Sequence, residues 1–106
     1  MNLWTNVAQR IAVEPDNPLA ATVGEIDLGV YEVDGALYAI EDICPHAHTH
    51  LTQGFADGCE IECPLHNAVF DVTNGKHLRG EPCGDVKTFA VRVVDGRIEV
   101  QAAPQP

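Results

Sequence analysis

The chain has 106 residues, enough for one domain with a modest core and too few for separate substrate and cofactor domains. Six Lys and Arg against sixteen Asp and Glu leave a net charge of −10, which excludes the basic face that generic nucleic-acid binding requires. The same acid keeps a small protein in solution and favours partners with basic docking patches, because opposite fields speed encounter.

The opening Met1-Asn2-Leu3-Trp4-Thr5 has no basic region and no long apolar run, so no secretory signal is expected. No stretch approaches the roughly 18 apolar residues of a membrane span. A cytoplasmic, membrane-free chain is the expectation. Four cysteines then point to metal ligation in a reducing compartment rather than to disulfides.

In chain order, the first clear element is a hairpin. Asp27 to Val33 and Ala36 to Ile40 are strand-like runs separated by Asp34-Gly35, a pair that readily supplies positive φ. Val86 to Val94, Asp95-Gly96 and Arg97 to Val100 repeat the device, and Phe89-Ala90-Val91-Arg92-Val93 alternates as a half-buried strand does. Ala102 to Pro106 reads as a frayed tail. Trp4, Tyr31, Tyr38, Phe70 and Phe89 read as core or sheet packing. The expected architecture is all-β: an antiparallel base from residues 1–41 and 76–106, with a smaller insert, 42–75, between them.

The insert holds Cys44-Pro45-His46 and Cys63-Pro64-Leu65-His66, with sixteen residues between His46 and Cys63. Each pair offers one thiolate and one imidazole. If each loop sends its cysteine to one iron and its histidine to the other, two short loops clamp a [2Fe–2S] cluster of the Rieske type from opposite sides. Cys44 and Cys63 then hold the buried iron, and His46 and His66 the outer one. Neutral imidazole adds no negative charge, which raises the potential above that of an all-cysteine cluster. Pro45 and Pro64 fix their own φ and push the preceding cysteine towards extended geometry. Structural zinc is the competing reading, although its common signature groups cysteines with cysteines and histidines with histidines. A disulfide leaves both histidines without a role.

The remaining candidates read as minor. Cys59 is expected to be a reduced, partly buried thiol, and Cys83 lies beside Pro82 with no assigned role. His77 reads as a surface residue. His48 and His50 read as solvated, with the option of a tip charge that changes near neutral pH.

These motifs, with Leu51-Thr52-Gln53-Gly54, Ile61-Glu62, Phe70-Asp71-Val72-Thr73-Asn74-Gly75-Lys76 and Pro82, resemble the Rieske-type ferredoxins of bacterial ring-hydroxylating dioxygenase systems. The resemblance covers nearly the whole chain. It departs from the family at Asn67-Ala68, where small glycines are common, and in the histidine-rich first loop. It implies a Rieske-like β base, one cluster per chain, a surface edge formed by His46 and His66, and Gly80-Glu81-Pro82 covering a third side. It also implies a one-electron carrier and not an enzyme. The donor is then a flavin-dependent ferredoxin reductase, and the acceptor a terminal Rieske non-haem iron oxygenase of aromatic hydrocarbon catabolism. A monomer is the simplest state. Thr49 and Leu65 stand where the respiratory class carries its extra disulfide-forming cysteines, and no serine or tyrosine donor is evident after His66. With the acidic charge, this places the expected potential at the low end of the Rieske range, roughly −150 mV. Two other readings stay open: the small Rieske-like subunit of an assimilatory nitrite reductase, and a redox-silent zinc-stabilised interaction module.

Overall fold

The computed structural model describes residues 4–44, 49–65, 67–80 and 84–104. Its strands are β1 (Trp4–Gln9), β2 (Leu19–Val23), β3 (Ile26–Val33), β4 (Ala36–Glu41), β5 (Phe55–Asp57), β6 (Glu60–Glu62), β7 (Val69–Asp71), β8 (His77–Arg79), β9 (Thr88–Val94) and β10 (Arg97–Pro104). They form two antiparallel sheets: a large one in the order β1-β10-β9-β4-β3-β2, and a small one in the order β5-β6-β7-β8. The end strands β1 and β2 touch, so the large sheet nearly closes into a barrel.

Both expected hairpins form for the expected reason. Asp34 and Gly35 have φ of 52° and 82°, and Asp95 and Gly96 have 52° and 74°. Positive φ at both central residues matches the right-handed strand twist, and aspartate tolerates it better than most side chains. The tail is different from the expectation. β10 continues to Pro104, which pairs with Phe89 after an irregularity beyond Val100. The ladder satisfies backbone groups that a frayed end leaves to water, and proline is tolerated at a strand's extremity because little is lost there without its N–H.

Two buried clusters lie on opposite faces of the β3–β4 hairpin. Leu28, Val30 and Ala39 join Val13, Phe89, Ile98 and Val100 inside the large sheet. Tyr31 and Ile40 join Cys44, Leu51, Ile61, Cys63, Ala68, Phe70, Val72 and Val86, which carry the insert. Coverage of both faces explains why Leu28 to Tyr31 are buried without a break, where a sheet with one wet face alternates. Full burial of each Ile, Leu, Val or Phe is worth about 1.5–3 kcal/mol, so the second cluster fastens the small sheet firmly to the base.

Tyr31 sits at this junction, 4% exposed, and its hydroxyl has no hydrogen-bond partner among the described residues. Burial, and then the nearby Asp42 carboxylate, push its pKa far above the ordinary phenol value. Above about pH 10 the unfolded phenol ionises while the buried one stays protonated. The unfolded state then binds fewer protons, and stability falls as pH rises. Tyr31→Phe is therefore expected to flatten the alkaline arm of stability, read as the urea midpoint between pH 8 and 11. Identical slopes for both proteins would show that Tyr31 does not drive it.

Among the described residues no helix is long and apolar enough to cross a membrane.

Candidate metal centre

The two cysteine loops are built alike. An isolated bridge joins Ile43 to His50, and the β6–β7 ladder joins Glu62 to Val69; each pair spans seven positions with the cysteine just inside it. Cys44 N–H donates to the Thr49 carbonyl at 2.8 Å, and Cys63 N–H donates to the Ala68 carbonyl at 2.8 Å. Both bonds close the loop on the residue five positions later. The cysteines are 0% and 2% exposed and belong to the same buried cluster.

Of the four expected ligands, the structure brings Cys44 and Cys63 together in this way. His46 and His66 lie outside the described residues, as do Pro45, His48, Glu81, Pro82 and Cys83. Leu65, in the second loop, is 68% exposed, which suits an apolar docking tip, and Pro64 beside it is half-buried.

The flanking residues explain the other motifs. Leu51 is fully buried under the first loop. A Cβ on Gly54 would overlap the Glu62 carbonyl oxygen, so only glycine lets the exit of the first loop lie against β6 just before Cys63. Cys59 is half-buried, and its carbonyl accepts from Val72 N–H at 2.8 Å. His50 is partly exposed, with Nε2 3.9 Å from the Asp27 carboxylate. His77 corrects the surface expectation. Its ring stands edge-on to Phe70 at 5.6 Å, and Nε2 is buried without a hydrogen-bond partner among the described residues. Cross-strand pairing of His77 with Phe70 draws the ring against the core.

One residue that the sequence reading did not single out is central here. Asp42, 1% exposed, accepts from Thr52 N–H at 2.8 Å and from Thr52 Oγ1 at 2.9 Å. Burial pushes its pKa up, while the two Thr52 bonds and then His50 pull it down; Asp27 pushes it up slightly. No sequence signal marks it, because an aspartate ahead of a loop ordinarily faces water.

Two buried thiols at the necks of matched loops, opening from one apolar cluster, fit a group held from two sides. Burial suits thiolate on ferric iron, and the C-x-H and C-x-x-H spacings put an imidazole in each loop. Comparison with known proteins gives the family. A family profile described as the Rieske [2Fe-2S] domain matches residues 3–90. The ferredoxin component of the naphthalene 1,2-dioxygenase system of Pseudomonas putida is 38% identical over 97 residues, covering 92% of this chain and 93% of that one. The solved ferredoxin of Sphingomonas yanoikuyae B1 superposes with a TM-score of 0.87 at 32% identity, over 98% of this chain and 100% of that one. A chain from a complex of reduced oxygenase and oxidized ferredoxin in carbazole 1,9a-dioxygenase gives a TM-score of 0.88 at 32% identity, over 97% and 96%. A protein assigned as the small subunit of an NADH-dependent nitrite reductase from Mycobacterium tuberculosis reaches 0.83 at 19% identity, a likeness of fold alone. The chain belongs to the Rieske [2Fe–2S] family, whose cofactor is a Rieske-type [2Fe–2S] cluster.

Proposed function

We propose that Cys44, His46, Cys63 and His66 hold the cluster, the cysteines on the inner iron and the histidines on the outer one. The observation that carries this reading is the matched pair of loops with a buried cysteine at each neck. The chain is a one-electron carrier of the ferredoxin type and not an enzyme. Bound there, the cluster supplies storage of a single electron, and no substrate bond is made or broken.

The protein's own residues do the rest. The two cysteine-bearing necks are fixed by backbone hydrogen bonds, which limits movement on a change of redox state. Leu65 offers an apolar contact beside the second loop. A small contact of this kind suits rapid release, since redox encounters bury less than about 1,200 Å². The net charge of −10 selects basic partner surfaces. A terminal ring-hydroxylating oxygenase is the acceptor, as the relatives' dioxygenase systems support, and a flavin-dependent ferredoxin reductase is the donor. The carrier works as a cytoplasmic monomer.

The test is a redox titration followed by reconstitution with the reductase and oxygenase of a naphthalene dioxygenase system. The expected potential is roughly −150 mV, at the lower end of the Rieske range, with electron flow to the oxygenase requiring the carrier. A potential well above zero contradicts the assignment to the low-potential class.

A further inference from the structure

The two loops match in length but not in how their necks are held. Beneath the second loop the β6–β7 ladder runs through Glu62↔Val69, Ile61↔Phe70 and Glu60↔Asp71. Beneath the first there is one bridge, Ile43↔His50, and the chain then enters a 3-10 turn at Leu51–Gln53. No ladder follows it. Position 42 stands to Cys44 as Ile61 stands to Cys63, and Leu51 stands to Cys44 as Phe70 stands to Cys63.

Asp42 takes the place of the missing ladder. Its backbone carbonyl accepts from Leu51 N–H at 2.6 Å, and its N–H donates to the Asp27 carbonyl at 3.0 Å. Its carboxylate grips both the N–H and the hydroxyl of Thr52. β3 makes room for this arrangement: a Cβ on Gly29 would lie 2.7 Å from Thr52 Cγ2. Burying a carboxylate is costly, and an apolar residue like Ile61 is the cheaper solution at this depth. The carboxylate is therefore placed for what it holds.

We propose that Asp42 is a positioning residue for the cluster: by clipping Thr52 it fixes the neck of the first loop, and with it the Cys44–His46 half of the ligand set. This inference rests on the ligand set proposed above. Outer partners that orient metal ligands typically change metal retention by about 10–100-fold when removed.

The test compares holo-proteins carrying Asp42→Ala, Asp42→Asn and Thr52→Val by EPR of the reduced state and by the rate at which visible absorbance bleaches. Asp42→Ala is expected to broaden the EPR components and to bleach at least about tenfold faster. Thr52→Val, which keeps the backbone bond and loses the hydroxyl, falls between. Asp42→Asn keeps an acceptor for Thr52 N–H and a partner for its hydroxyl, so it behaves as wild type. If Asp42→Ala does not accumulate folded, the Asn and Val variants decide. Wild-type line shapes and bleaching in Thr52→Val, or an Asn variant as impaired as Ala, overturn the clip. A wild-type chain that shows no mixed His/Cys signal overturns the ligand set itself, and the clip with it.

Discussion

Cys63→Ser is expected to give a colourless or rapidly bleaching protein whose iron content falls to background, and Cys44→Ser the same. Both thiols are buried in one apolar cluster at the necks of matched loops, and the other described cysteine, Cys59, lies outside that cluster. Serine is a poor donor to iron and leaves a hydroxyl in a site shaped for sulfur. Cys59→Ser is the control. Cys59 is half-buried and precedes β6, at the opposite end of that strand from Cys63, and its backbone carbonyl accepts from Val72 N–H. It should retain full iron. Because cluster binding is coupled to folding, the ligand variants should also unfold at lower urea than Cys59→Ser. Iron retained in Cys63→Ser and lost in Cys59→Ser would reassign the inner ligand.

Gly80→Ala is expected to be the most damaging single-methyl change. Gly80 has φ of +89°, and a Cβ there would overlap the Asn67 carbonyl oxygen and lie 3.0 Å from Ala68 Cα. The left-handed backbone alone costs an alanine about 1–2 kcal/mol. Forcing atoms into a packed contact adds about 1–3 kcal/mol. The contact is with the residue that follows His66, so the strain falls on the second loop. Faster cluster loss should accompany the lower stability. Gly58→Ala isolates the first cost: φ is +62° there, with nothing within 4 Å of the added carbon. Equal urea midpoints and equal bleaching for the two variants would mean that Gly80 does not brace the loop.

The parts of this molecule governed by local chemistry were legible in the residues. Asp34-Gly35 and Asp95-Gly96 demand positive φ and mark both hairpins, and the mixed thiolate–imidazole pairs point to the Rieske family that the profile match shows. What escaped depends on partners distant in sequence. The three-residue strands β5 and β8 are too short to show alternation and exist because β6 and β7 supply their hydrogen bonds. The strand character of residues 102–104 likewise comes from β9. His77 reads as a polar surface residue until Phe70 is placed opposite it. Asp42 reads as a solvated aspartate until Thr52, ten residues on, folds back over it. The motif Leu51-Thr52-Gln53-Gly54 carried the resemblance with no physical account. Each of its described contacts is now visible: Leu51 fills the core, Thr52 is clipped, and Gly54 passes β6 closely.

The central claim is mixed histidine–cysteine ligation of one cluster by the two loops. Low-temperature EPR of the dithionite-reduced protein, with iron and acid-labile sulfide counted on the same sample, tests it most directly. The account predicts a rhombic signal whose average g lies below that of all-cysteine clusters, with two irons and two sulfides per chain. A colourless protein that holds stoichiometric zinc and refuses a cluster on anaerobic reconstitution would contradict it.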